Sequence, residues 1–226
     1  MQPIGPKIAE GRDSEIFEHG RGKVLRVARD GRSLESEARI MAYVAARGYP
    51  VPAVHDAGDG YLVMDRVDGV PMFDDAIPFR IGRNAKVLAA LHEQLHAIPA
   101  PDWLPQAPLP GDRVVHRDLH PLNVLVTSSG PIVIDWSNAS AGDPSFDVAD
   151  TWVLLATADP DDLNPIERLL APLARSFFLR SFLGGVDRDG ARRAIPAAVE
   201  HRLTDRNHRP EEHERMRALA AWASNV

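Results

Sequence analysis

The sequence predicts an α+β protein with a small β-rich N-terminal lobe and a larger, mainly α C-terminal lobe. Three observations carry this. Short apolar runs separated by turn residues dominate the first 67 residues, and helical periodicity dominates from Pro144 onward. Between them, Asp68-Gly69-Val70-Pro71 supplies a junction. The expected division is residues 1–67 and residues 68–226.

Within the first lobe, Ile16-Phe17 and Lys23–Ala28 read as strands joined by the glycine-bearing turn His19-Gly20-Arg21-Gly22. Ser33–Arg47 reads as a helix, with Ser33 as cap, Glu35 and Glu37 early and Gly48 as stop. Val51–Val54 is extended, and Tyr61–Met64 is a buried strand between Asp59-Gly60 and Asp68-Gly69. In the second lobe, Arg80–Ile98 is a helix with Val87, Leu88, Leu91 and Leu95 on one face. Five prolines from Pro99 to Pro110 impose an irregular connection. Val114-Val115, Val124–Val126 and Ile132–Ile134 are short strands, and helices follow at Phe146–Ala158, Pro165–Leu183, Asp189–His201 and Glu211–Ala223.

Composition narrows the function classes. The 226 residues are 44% hydrophobic and 26% charged, which is globular usage rather than that of a disordered or fibrous chain. A net charge of −6 argues against a nucleic-acid partner, which needs a basic surface to displace counterions. With no cysteine, disulfides, thiolate metal sites and a thiol nucleophile are excluded. The N-terminus lacks the apolar core of a signal peptide, and no apolar stretch approaches the ~18 residues of a spanning helix. The expectation is a cytoplasmic protein, monomeric, with no membrane partner.

The chemistry concentrates between Val114 and Asp135. Asp118 and Asn123 bracket a loop between two short apolar strands, and Asp135 ends the run Ile132-Val133-Ile134. Phosphoryl transfer calls for these groups: one carboxylate to orient or deprotonate a hydroxyl, and an amide oxygen plus a second carboxylate to hold Mg²⁺ on phosphate oxygens.

His116-Arg117-Asp118-Leu119-His120-Pro121 through Asn123 resembles the catalytic loop of the aminoglycoside phosphotransferase family, small-molecule kinases of the protein-kinase-like fold. Asp135-Trp136-Ser137 stands where that family's metal-binding Asp triplet stands. Gly142-Asp143-Pro144 with Asp147-Val148-Ala149, and Leu91-His92 with Leu95-His96-Ala97-Ile98-Pro99, resemble its flanking landmarks. The resemblance covers roughly residues 4–155 and implies ATP and Mg²⁺ as cofactors, with Asp118 as catalytic residue and Asn123 and Asp135 as metal ligands. It further implies that Asp147 holds the catalytic-loop backbone.

The same resemblance assigns the nucleotide site. Gly11-Arg12-Asp13-Ser14 would cover the phosphates, Ser14 among them. Strand alternation puts Val24 and Arg26 on one face, Val24 under the base and Arg26 toward the phosphates. Protein kinases carry Lys at the latter position, and a guanidinium there grips phosphate and carboxylate alike. Glu37 is its expected helix partner, with Glu35 the competitor. Met64 would back the adenine pocket, the backbone of Asp65 and Val67 would bond the adenine edge, and Ile8, Ile16, Leu125 and Ile134 would sandwich the ring.

His92-Glu93-Gln94-Leu95-His96 also matches the H-E-x-x-H zinc motif, but no third ligand follows at a recognised spacing. Only 12 positions separate Asp135 from Asp147, and no Ala-Pro-Glu intervenes, so a peptide-docking activation segment has no room. The expected acceptor is a small hydroxylated molecule: an aminoglycoside-like antibiotic, a sugar or an amino alcohol. Candidate acids for binding an aminoglycoside are Asp143, Asp159, Asp161, Asp162 and Glu167. The alternatives are a nucleotide-binding kinase-like protein with little or no transferase activity, and an atypical protein kinase.

Overall fold

The computed structural model describes residues 5–11, 13–75, 80–157, 165–204 and 209–225, with the side chains of 165–171 left aside. Arg12, Asp159, Asp161, Asp162 and the Glu167 side chain therefore lie outside the described residues. In chain order the elements are β1 (Lys7–Glu10), β2 (Ser14–Glu18), β3 (Lys23–Ala28), α1 (Glu35–Ala45), β4 (Val54–Gly58), β5 (Tyr61–Asp65) and β6 (Val70–Pro71). Then come α2 (Ile81–His96), β7 (Arg113–Val115), a 3-10 turn (Pro121–Asn123), β8 (Val124–Thr127), β9 (Gly130–Val133) and β10 (Ser140–Gly142). Four helices complete the chain: α3 (Pro144–Thr157), α4 (Pro165–Leu183), α5 (Arg188–Arg202) and α6 (Pro210–Ser224).

These elements form two compact units, Met1–Val70 with Val124–Ala139, and Pro71–Asn123 with Ser140–Val226. The first is built on a five-stranded antiparallel sheet in the order β1-β2-β3-β5-β4. The β2–β3 turn needs left-handed backbone at Gly20 (φ 66°) and Gly22 (φ 72°), which glycine adopts without steric cost. On α1, Glu37, Ala38, Ile40, Met41 and Val44 are buried, the inward stripe of an amphipathic helix. Leu34 occupies the cap position without a side-chain bond, and Ser33, one residue earlier, accepts from the Glu35 N–H through its Oγ at 3.4 Å while its backbone bridges Asp59.

Residues 124–139 join this unit although the sequence groups them with the C-terminal lobe. The β8–β9 hairpin is tied in by the Val133 N–H, which donates to the Pro50 carbonyl at 2.8 Å. Trp136 is 1% exposed and stands edge-on to Tyr49, with centroids 5.5 Å apart. Both links are long-range, so local periodicity carries no trace of them.

The second unit is helical around the small β7–β10 pair. Helix α3 packs on α5, α2 on α4 and α5 on α6. Leu88, Leu95, Phe146, Val153, Phe182 and Ile195 are fully buried between them. Unusually for a core helix, α3 also buries Asp147, Asp150 and Thr151, and those three side chains organise the site. Among the described residues, no helix is long and apolar enough to cross a membrane.

Candidate active site

In the second unit, β7 delivers the chain into the segment His116–Asn123. Arg117 is held in the left-handed region at φ 65°, uncommon for a non-glycine residue and costing roughly 1 kcal/mol or more. Asp147, fully buried in the first turn of α3, holds this bend. Its Oδ1 accepts from the Arg117 N–H at 2.6 Å, and its Oδ2 accepts from the His116 N–H at 3.0 Å. His96 Nε2 lies 2.9 Å from the same Oδ2. One turn on, the Thr151 hydroxyl donates to the Leu119 carbonyl at 2.7 Å. Burial alone would raise the Asp147 carboxyl, but the hydrogen bond from His96 and the surrounding imidazoles hold it well below the usual carboxylate range.

The bend presents Asp118 with both oxygens engaged. Arg202 Nη2 donates to Oδ1 at 3.0 Å and Asn123 Nδ2 donates to Oδ2 at 3.1 Å. Asn123 Nδ2 also donates to the Asp118 carbonyl at 2.9 Å. The amide nitrogen thus faces Asp118, leaving Oδ1 of Asn123 as the oxygen free of these bonds. Burial would raise the Asp118 carboxyl; His120 and the Arg202 guanidinium outweigh it, so Asp118 is ionised at neutral pH. His120 packs the loop: its Nδ1 accepts from the Leu122 N–H at 3.2 Å, and its Nε2 stands 3.5 Å from Asp118 Oδ2. Asp143, a candidate acid for the acceptor, caps α3 by accepting from the Ser145 N–H at 2.8 Å.

In the first unit, Arg26 is gripped on three sides. Its Nη1 donates to Glu37 Oε1 at 2.5 Å, its Nε donates to Ser14 Oγ at 3.1 Å, and its Nη2 lies 3.6 Å from Asp135 Oδ1. The partner is Glu37; Glu35 is exposed. Burial raises the Glu37 carboxyl against the pull of Arg26. Glu37 Oε1 also accepts from the Trp136 N–H at 3.3 Å, which places Asp135 beside Arg26. Asp135 itself is left-handed, at φ 63°, and its Oδ1 accepts from the Ser137 hydroxyl at 3.0 Å. Ser14 opens β2, and its Oγ accepts from Arg26 Nε, which orients the guanidinium and leaves the hydroxyl proton to donate.

The strand register puts Ile16, Val24, Arg26, Leu62 and Met64 on one face, since Ile16 pairs with Arg26, Arg26 with Leu62 and Val24 with Met64. Leu125 lies in β8 opposite Ile132, Ile134 directly follows β9, and Ile8 is exposed on β1. The Asp65 N–H already donates to the Ala53 carbonyl at 2.9 Å, so only its carbonyl remains for a ligand edge. The Val67 N–H donates to no backbone carbonyl among the described residues.

His92 and His96 share a helix face, and with Asp147 they form a group of three ligand-type side chains whose atoms lie within 4.8 Å. Two of the three already serve the loop: Asp147 carries the His116 and Arg117 N–H groups, and His96 bonds Asp147. The zinc-like motif thus helps anchor the loop 116–123. Burial lowers the His92 imidazole to about 3, against the pull of Asp147, so the ring is neutral at pH 7. An unfolded His takes its proton near pH 6.5, which folded His92 does not until about 3. Its contribution to stability is therefore complete above about pH 6.5 and is lost as pH falls from there, at up to ~1.4 kcal/mol per pH unit. Urea unfolding at pH 7, 6 and 5 should show this decline, and His92→Gln should flatten it; equal slopes in both proteins would contradict the assignment.

Two features gave no sequence signal: the left-handed Arg117 and Asp135, and the Arg202 contact, which spans 84 positions. Comparison with known proteins agrees with this geometry. The sequence profile of the phosphotransferase enzyme family (APH) matches residues 6–113 and 84–178. The chain belongs to that phosphotransferase family and has the protein-kinase-like fold. No curated protein sequence matches it. Among solved structures, ADP-bound aminoglycoside phosphotransferase APH(2'')-Ib is 16% identical, with a TM-score of 0.60 over 97% of this chain and 92% of that one. A thermostable mutant of aminoglycoside phosphotransferase APH(4)-Ia in complex with AMP-PNP and hygromycin B is 18% identical, with a TM-score of 0.59 over 99% and 96%. A choline/ethanolamine kinase family protein from Mesorhizobium loti is 15% identical, with a TM-score of 0.56 over 98% and 87%.

Proposed function

We propose that the protein transfers the γ-phosphate of ATP to a hydroxyl of a small molecule of aminoglycoside, sugar or amino-alcohol type. The observation that carries this is Asp118: ionised, clamped at both oxygens, and carried on a loop whose backbone Asp147 holds. Asp118 orients the acceptor hydroxyl and accepts its proton as the new O–P bond forms and the bond to ADP breaks. Residues 1–67 together with 124–139 serve as the nucleotide lobe, and the rest of 68–226 as the catalytic and acceptor lobe. Val24 and Met64 line the adenine site, with Ile8, Ile16, Leu125 and Ile134 on the two ring faces. The Asp65 carbonyl and the Val67 N–H meet the adenine edge. Arg26, aimed by Glu37 and Ser14, steadies the α- and β-phosphates.

The donor set suits Mg²⁺. Asn123 turns its nitrogen to Asp118 and keeps its oxygen, and Asp135 offers a half-exposed carboxylate; both are the hard oxygen ligands that ion prefers. When bound, the ion neutralises charge on the phosphate oxygens. Solved relatives hold gentamicin or hygromycin B, and one belongs to the choline/ethanolamine kinases, so these molecules define the acceptor panel. Calorimetry of nucleotide binding provides the test. Asp135→Ala should weaken Mg·ATP binding by ~10-fold or more while changing metal-free ATP binding far less. Equal losses with and without Mg²⁺ would remove Asp135 from the metal site.

A further inference from the structure

The last turn of α5 reaches the catalytic loop at two points. His201 Nε2 lies 2.8 Å from Arg117 Nη2, and Arg202 Nη2 donates to Asp118 Oδ1. Helix α5 lies beyond residues 6–178, the span of the family match, so nothing in that match assigns these residues a role. Arg202 is itself aimed from below. Its Nε donates to Asp150 Oδ1 at 2.8 Å and its Nη2 donates to Asp150 Oδ2 at 2.6 Å, a two-pronged grip by a carboxylate 1% exposed. Burial pushes the Asp150 carboxyl up, to about 6, against the pull of Arg202, while the two carboxylates keep Arg202 charged.

We propose that Arg202 is a positioning residue for phosphoryl transfer: held by Asp150, it pins Oδ1 of Asp118 and, with Asn123 on Oδ2, sets the plane of the catalytic carboxylate. Oδ1 then keeps one lone pair, and the plane dictates where it points. A guanidinium suits the task because its rigid fork spans both carboxylates at once, which an ammonium on a flexible stem does not. The arrangement also explains why α3 buries a second carboxylate three residues after Asp147: Asp150 serves Arg202, while Asp147 serves the backbone of the same loop. Backbone and side chain of the loop are thus set by two successive acids on one helix.

The inference rests on the proposed transferase reading, and the test separates the two. The probe is Mg·ATP with water as acceptor, following Asp118-dependent hydrolysis. In Arg202→Met, kcat should fall by ~10–100-fold, while KM for Mg·ATP stays within about twofold. That variant leaves Asp150 buried without its cation and so loses stability, which Arg202→Met/Asp150→Asn repairs by removing both charges. The double variant should melt near the wild type and keep the kcat deficit. Arg202→Lys, which retains the charge but not the fork, should recover part of the rate. A double variant with wild-type kcat would reduce Arg202 to a counter-ion for Asp150 and overturn the proposal, and a faster one would make it a brake, with the same result. If the double variant does not fold, Arg202→Lys decides alone: an unchanged kcat overturns the proposal. Where the wild type shows no Asp118-dependent hydrolysis, the same kcat comparison is read on phosphomonoester formation with gentamicin, hygromycin B, choline and ethanolamine as acceptors; absence of both reactions would remove the transferase reading itself, and this inference with it.

Discussion

Asp118→Ala is expected to lower phosphoryl transfer by ~10²–10⁴-fold, the range a positioned general base supplies. Nucleotide affinity should change little, because the Arg26–Glu37–Asp135 cluster and the β-sheet face with Val24 and Met64 belong to the other unit. The split between rate and binding is the diagnostic. A side chain that only braced the loop would, on removal, disturb stability and binding together with rate. Asp118 is clamped rather than clamping, since Arg202 has Asp150 and Asn123 Nδ2 keeps the Asp118 backbone carbonyl as acceptor. Steady-state turnover and calorimetric ATP binding on the same preparation check it; comparable losses in both would count against a proton-accepting role.

The second large effect falls on stability. Asp147→Ala removes an acid that is itself fully buried and is the acceptor for two backbone N–H groups and for His96. Breaking a buried charged group out of its partners typically costs ~3–5 kcal/mol. For a chain of this size that is a fall of ~10 °C or more in melting temperature. Activity per folded molecule should also drop, because Asp147 accepts from both N–H groups of the left-handed bend at Arg117. Thermal melts and denaturant curves measure the first effect. A variant within ~1 kcal/mol of the wild type would show that the loop keeps its bend without the buried acid.

How much of this was legible in the sequence depends on the range of the interaction. Strands β2, β3, β5 and β8 were plain from apolar runs bounded by turn residues, as was α2 from its leucine spacing. Residue types and spacing marked Asp118, Asn123 and Asp135 as one chemistry. Edge strands β1 and β4 were legible only in outline, as short strands within residues 4–30 and an extended piece at Val51–Val54: Lys7, Glu10, His55 and Asp56 give them no apolar alternation, and pairing with a neighbour sets their bounds. Ser33 read as the cap, and its Oγ does accept from the Glu35 N–H, but Leu34 stands at the cap position itself. Left-handed backbone at Arg117 and Asp135 left no mark, because in both places tertiary hydrogen bonds, not glycine, maintain it. The motif His92-Glu93-Gln94-Leu95-His96 was legible but misleading: its helix-face geometry is real, and what faces it is Asp147 rather than open ligand positions. Arg202 was invisible for the simplest reason, an ordinary arginine 84 positions from the acid it grips.

The most direct test of the transferase assignment is phosphorus NMR of Mg·ATP incubated with the protein and a panel of gentamicin, hygromycin B, choline and ethanolamine, with Asp118→Ala as the blank. The account predicts ADP together with a new phosphomonoester resonance on at least one acceptor, present with the wild type and missing from the blank. Equal ATP consumption by both proteins, or a wild type that leaves ATP intact and forms no ester, would contradict it.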